Sequence, residues 1–192
     1  MLLKDLLSTV VLIFALYISS VAQSGVGFYA GYTTAFTTDK VSTPSRTAHF
    51  GYLVGFDARL NDDEFHFKGG LEYFSFDLIS NSNPIPIKKG QMKMLKVRGG
   101  FGLHLAKLSE NSILRAKLLG SLQFVRDYDK DALVIPEYTR INENLAGVAT
   151  GIGVDIGKLT IDLEFDYGLF NLYFKKPNSK LHFINFNVGF FL

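Results

Sequence analysis

From residue 25 to residue 192 the chain alternates between apolar and polar positions. A period of two marks extended strands with two unlike faces, and helical periodicity is nearly absent. Eight segments carry the pattern, at 25–36, 48–60, 64–77, 91–105, 113–125, 145–156, 159–169 and 182–192. Each matches or slightly exceeds the ~9–11 residues of a tilted strand that crosses a bilayer. The connections alternate as well. NDDE at 61–64, AKLSENS at 106–112 and GK at 157–158 are short, while 37–47, 79–90, 126–142 and 171–180 are long. The long ones are rich in Pro, Asn, Ser and charge. Outer-membrane barrels sort their loops by end in this way, and soluble sandwiches have no reason to.

One face is uniformly apolar. Leu95, Val97, Phe101, Leu103 and Leu105 alternate with Lys96, Arg98, Gly100, Gly102 and His104. Leu114, Ala116, Leu118, Leu122 and Phe124 stand against Arg115, Lys117, Ser121 and Gln123. Val148, Thr150, Ile152, Val154 and Ile156 oppose Gly147, Ala149, Gly151, Gly153 and Asp155, and Ile161, Leu163, Phe165 and Tyr167 oppose Asp162, Glu164 and Asp166. In a lipocalin-like soluble carrier the apolar face would be the core. Glycine argues otherwise, because it weakens a water-facing strand yet suits a crowded lumen where small residues sit beside large ones. The expected fold is all-β: an eight-stranded antiparallel up-and-down transmembrane barrel with a polar, side-chain-filled lumen.

That placement explains three carboxylates on one strand face. A two-residue turn at Gly157-Lys158 sets Gly153 beside Asp162, Gly151 beside Glu164 and Ala149 beside Asp166, leaving space for cations from across the barrel. Arg59, Lys68, Lys96, Arg98, Arg115 and Lys117 share the polar parity, and Glu72 and Asp155 add to the acids. Closing 79–90 symmetrically places Glu72 opposite Arg98. Buried charges persist only when paired, so these residues are expected to form one ion-pair network that fills the lumen.

Composition narrows the chemistry. The chain has no Cys, which excludes thiolate metal sites, thiol nucleophiles and disulfides. A formal net charge of +2, with no basic run interleaved with aromatics, gives no reason to expect nucleic acid. MLLKDLLSTVVLIFALYISSVAQ opens the chain with Lys4, a mostly apolar stretch at 6–18 and the small-residue pattern Ser20-Val21-Ala22. It reads as a signal peptide over 1–22, with 23–192 as the barrel domain.

The chain ends in HFINFNVGFFL, with Ile184, Phe186, Val188, Phe190 and Leu192 on alternate positions. This stretch resembles the C-terminal insertion signal of bacterial outer-membrane barrels, with Leu192 where that signal usually ends in Phe. Together with SVAQ, GLEYFSFDL and the eight strands, residues 25–192 resemble the small OmpA/OmpX-like barrels, and most of all the PorT-type group common in Bacteroidetes. The resemblance implies a bacterial outer membrane, surrounding lipid, handling by the barrel assembly machinery through Phe186, Val188, Phe190 and Leu192, and a role associated with secretion.

Other constellations are weaker. His66 and His104 lie on the inward parity near the short turns, and with Asp155 or Asp162 they form a conceivable zinc set. The neighbouring Arg59 and Arg115 disfavour a divalent ion, so no metal is expected. His49 and His182 near the long loops, with Ser75 and Asp77 or Asp166, contain the residue types of a nucleophilic relay. No His-x-Ser pattern occurs, and no catalytic residue or cofactor is expected. VRGGFG and GVATGIGVDIG are followed by no helix that would bind phosphate, and read as lumen spacers. Phe36, Phe50, Tyr52 and Tyr73 towards the long loops, and Phe28, Phe65, Phe101 and Phe190 towards the short turns, suit two interfacial girdles. Loops 126–142 and 171–181 are the expected surface for an envelope protein partner. The expected function is thus that of a monomeric, non-enzymatic outer-membrane protein with a structural or partner-binding role. A narrow solute pore and a lipid-modifying enzyme are the alternatives.

Overall fold

The alternating segments pair edge to edge into one closed sheet. The computed structural model describes residues 25–37, 49–61, 64–78, 90–128, 140–175 and 177–192. Eight strands follow in chain order: β1 (Gly25–Thr37), β2 (His49–Asn61), β3 (Phe65–Leu78), β4 (Gly90–Ser109), β5 (Ser112–Tyr128), β6 (Asn144–Ile156), β7 (Leu159–Gly168) and β8 (Leu181–Phe191). Each is antiparallel to its sequence neighbour, and β1 closes on β8 from Gly27↔Phe191 to Thr37↔Leu181. Closure leaves no free edge, so every strand finds ladder partners on both sides. The expected export signal at 1–22, the first two long loops at 38–47 and 79–89, and residues 129–139 of the third lie outside the described residues.

Turn chemistry sets the register where the turn is short. Gly157 has φ 58°, the left-handed conformation a two-residue hairpin turn demands. The turn pairs Gly153 with Asp162, Gly151 with Glu164 and Ala149 with Asp166. The β4–β5 connection is tighter than the sequence suggests. Its ladder continues through Lys107↔Ile113 to Ser109↔Ser112, so only Glu110 and Asn111 remain in the turn, not the whole of 106–112. The ladder skips Leu105 and Leu108 as bulged positions, and both stay exposed on the outside.

Across a long loop the register differs from expectation. Glu72 stands opposite Lys96, and Arg98 opposite Gly70. β4 already pairs at Gly90, against Leu78, which shifts the ladder by two residues. A shift of two preserves side-chain parity, so all four residues keep the faces they were assigned.

Exposed large apolar side chains occur on every strand, among them Phe28, Val54, Phe67, Val97, Leu118, Ile152, Leu163 and Phe186. An apolar surface that encircles a molecule far exceeds the few hundred Å² a soluble monomer tolerates. The expected girdle residues divide in their exposure. Phe50, Tyr52, Phe28, Phe65, Phe101 and Phe190 are exposed, while Phe36 and Tyr73 are half-buried. Phe65, Phe67 and Phe101 form one ring cluster, with centroids 5.1–5.5 Å apart. The glycines are not all lumen spacers. Gly69, Gly99 and Gly120 lie side by side on the outer face of β3, β4 and β5. A Cβ on any of them would meet nothing closer than a backbone oxygen at 3.7 Å.

Candidate functional site

The lumen is filled in two zones. In the half nearer the short turns, β2 contributes Asp57 and Arg59, β3 Lys68 and Glu72, and β4 Lys96 and Arg98. β5 adds Arg115 and Lys117, β6 adds Asp155, and β7 adds Asp162, Glu164 and Asp166. Among the described residues these are six cations and six carboxylates, and every one belongs to at least one ion pair. The zone is neutral as a whole, which is the condition for keeping charge out of water.

The pairs form layers. Lowest, Arg59 Nη1 lies 2.6 Å from Asp155 Oδ2, and Arg115 Nε donates to Asp155 Oδ1 at 2.9 Å. The Arg59 guanidinium also lies 3.8 Å from the Phe191 ring, tying the last strand to this layer. Arg115 continues to Asp162 at 2.8 Å and donates to the Thr160 hydroxyl. Next, Lys117 bridges Asp162, at 3.1 Å, and Glu164. Gly151 makes room for that bridge, because a Cβ there would lie 3.1 Å from both Glu164 Cγ and Lys117 Cε.

Arg98 is the hub. Its guanidinium grips Asp57 through Nη2, at 2.8 Å, and Nε, at 3.2 Å, a two-pronged contact only arginine's fork provides. Nη1 reaches Glu72 on the neighbouring strand and Glu164 on β7 at 2.8 Å. Lys68 Nζ lies 2.6 Å from Asp57 Oδ2, the oxygen that Arg98 Nη2 also holds. Above, Lys96 pairs with Asp166 and lies 3.4 Å from Glu72. Tyr29, Asn185 and Asn187 donate to Glu72, Asp166 and Glu164 at 2.9, 2.9 and 3.2 Å, adding neutral donors to the carboxylates.

Lys96 also marks the boundary, for its ammonium lies 4.0 Å from the Phe74 ring. Beyond it, towards the long loops, the lumen turns apolar: Leu53, Phe74, Phe76, Met92, Met94, Leu181 and Phe183 are buried together. The expectation of a polar lumen holds for one half only. Residues 140–142, 171–174 and 179–180 then fold over the mouth. Ile141 bridges Tyr173, Asn171 bridges Lys180, and Asn142 and Leu172 exchange backbone bonds with the adjoining segments at 2.7 and 2.8 Å. Within this cap Leu172, Tyr173 and Ile141 are buried.

The eleven residues named from the sequence as a network are all placed in it. Asp57, absent from that set, carries two of its cations. Its signal was present, because Asp57 and Arg59 alternate with Phe56 and Ala58 in GFDARL. The other constellations fare differently. The rings of His66 and His104 lie 5.3 Å apart, but Asp155 and Asp162 are held by Arg59, Arg115 and Lys117. Among the described residues no group of three His, Asp or Glu is arranged to hold a metal. Ser75 lies on β3, between Tyr52 and Lys93 in the sheet, while Asp166 points into the lumen against Lys96. His182 packs between Phe36 and Tyr167 on the outside of β8, so the barrel wall separates it from Asp166. The side chains of His49 and Asp77 lie outside the described residues. Phe186, Val188 and Phe190 on β8, and Leu192 just after it, are all exposed on the outside.

No protein-family model matches the chain, and no curated protein does. Among solved structures it is similar to Neisserial surface protein A, at 12% identity and a TM-score of 0.55, over 87% of this chain and 96% of that one. It is also similar to the attachment invasion locus protein Ail of Yersinia pestis, at 12% identity and a TM-score of 0.49, over 88% and 99%. The outer membrane protein OprG of Pseudomonas aeruginosa matches at 9% identity and a TM-score of 0.49, over 88% and 96%. What is shared is the fold, that of a small eight-stranded barrel.

Proposed function

We propose that this chain is an integral protein of a bacterial outer membrane whose barrel is a sealed, non-conducting and non-enzymatic support for its outer loops. The observation that carries the reading is the lumen: six cations neutralised by six carboxylates, overlain by an apolar plug and a cap. Among the described residues the lumen is occupied by paired charge towards the short turns and by apolar side chains towards the long loops. A ring of exposed apolar side chains supports the surrounding lipid, and the short turns and long loops support an orientation with both termini in the periplasm. Residues 1–22 serve as the export signal. The outward-facing Phe186, Val188, Phe190 and Leu192 serve as the segment read during barrel assembly. Loops 126–142 and 171–181 are the surface for an envelope partner, and membership of the PorT-type group, with a secretion-associated role, follows from the sequence resemblance alone.

Planar-bilayer recording of the purified chain tests the central claim. The expected trace shows no steady single-channel conductance. Stable, ion-selective openings would overturn the sealed lumen and favour the narrow pore.

A further inference from the structure

The cap is cationic where it meets the outer apolar band. Arg140 and Lys180 belong to it and Lys175 directly follows Phe174, and none of the three has a carboxylate within ion-pair distance among the described residues. That separates them from the lumen bases, every one of which is paired. Arg140 and Lys180 lie against aromatic faces instead. The Arg140 guanidinium lies 4.8 Å from the centroid of the Phe174 ring, with the Phe174 N–H donating to the Arg140 carbonyl at 3.1 Å. Lys180 Nζ lies 5.4 Å from the centroid of the Tyr167 ring. Tyr167, Leu169, Phe170 and Phe174 are all exposed, so the ledge is continuous with the lipid-facing band. Arg140 stands beside Phe174 and Lys180 beside Asn171, roughly 10 Å apart at the ~3.3 Å rise of extended chain.

A second observation points to the same place. His182, two residues beyond Lys180, shares the Tyr167 ring, with centroids 4.7 Å apart. Its side chain is buried although it sits on the outer parity of β8. Nδ1 accepts the Gly168 N–H at 3.3 Å, so in the neutral ring the proton resides on Nε2. Nε2 has no hydrogen-bond partner among the described residues. A buried donor without an acceptor is costly, so an acceptor from outside the described residues would be favoured there.

We propose that this ledge binds the phosphate-bearing headgroup of an outer-leaflet glycolipid. Arg140, Lys175 and Lys180 supply the charge, Tyr167, Phe170 and Phe174 rest on the acyl and sugar portion, and His182 Nε2–H donates to an oxygen of the same headgroup. Unpaired cations at the edge of an apolar band complement an anion tethered to hydrocarbon, as each Lys or Arg near an anionic membrane surface does. The inference rests on the membrane reading above and goes beyond it in naming the lipid chemistry and its contacts.

The test uses the full barrel in phosphatidylcholine nanodiscs doped with lipopolysaccharide, either intact or stripped of its phosphates, with retained glycolipid counted by native mass spectrometry. The triple variant Arg140→Ala, Lys175→Ala, Lys180→Ala should retain intact lipopolysaccharide on the order of a hundredfold more weakly, about fivefold for each cation. Wild type should hold the phosphate-free form no better than the triple variant holds the intact one. His182→Phe keeps the ring, removes the donor and should weaken retention further. Lys158→Ala, at the short-turn end, should change nothing. A barrel that inserts normally but retains both glycolipids equally, or does not lose retention in the triple variant, overturns the headgroup site and leaves the membrane reading intact. A chain that stays out of the bilayer overturns both.

Discussion

The two halves of the lumen solve one packing problem by opposite chemistry. Towards the short turns the cross-section is filled by paired charge, with Arg98 joining three carboxylates from three strands. Towards the long loops it is filled by Leu53, Phe74, Phe76, Met92, Met94 and Phe183. Dispersion contacts in the apolar half are individually small and interchangeable, so one truncation leaves a cavity and little else. Each charge in the ionic half is held by specific partners, and removing one strands the rest. The apolar half tolerates substitution by volume; the ionic half tolerates it only by pairs. A network that depends on every member also fixes the register of the strands that carry it. The cost of such specificity is the desolvation of twelve charged groups.

Arg98→Leu should give the largest effect. It leaves Asp57 with Lys68 alone, and it strips Glu72 and Glu164 of their shared cation in a buried site. The expected loss is about 3–5 kcal/mol, read from urea unfolding of the barrel refolded in detergent micelles. A loss below about 1 kcal/mol would mean that water enters this half freely, and the contrast between the two halves would dissolve.

The boundary between the halves allows a sharper trial. Lys96→Met should cost about 3 kcal/mol, because Asp166 and Glu72 lose a cation. Adding Asp166→Leu should restore stability to within about 1 kcal/mol of the wild type, since buried pairs are often replaceable by apolar residues of like volume. The two introduced apolar side chains would then extend the Phe74–Phe183 cluster downward by one layer. A double-mutant cycle isolates this coupling. Additive losses, with no recovery in the double variant, would show that the ionic half depends on more than pairwise neutralisation.

Much of this was legible in the chain because a barrel strand reports its two faces residue by residue. Strict alternation in 145–169 carries both the inward carboxylates and the hairpin register, since Gly157-Lys158 permits only one tight turn. Legibility failed where local pattern and global geometry part. The length of 79–90 does not reveal where β4 begins to pair, so symmetric closure matches Glu72 to Arg98 rather than to Lys96. Bulges at Leu105 and Leu108 are hard to read from periodicity, because each shifts the register by one residue and the two together restore the alternation. The apolar plug was hidden for a related reason. In LEYFSF both faces of β3 carry aromatic residues, so Phe74 and Phe76 blend with the outward Tyr73. Two-sided apolarity towards one end of several strands is the signal that the lumen changes character there.

The smallest effect should come from Lys93→Ala, and its smallness sharpens the comparison. Lys93 and Lys96 are three residues apart on β4, and both ammonium groups pair with an aspartate. The Lys93–Asp127 pair, at 3.1 Å, leaves the two side chains 38% and 64% exposed; the Lys96–Asp166 pair leaves them 2% and 1%. Water and salt already solvate the former, and its loss strands no buried partner. The unfolding midpoint of Lys93→Ala should therefore match the wild type within measurement, at low and at high salt alike. A clear destabilisation that salt abolishes would place part of the barrel's stability in its rim charges. The distinction between paired charge in the lumen and paired charge at the mouth would then have to be redrawn.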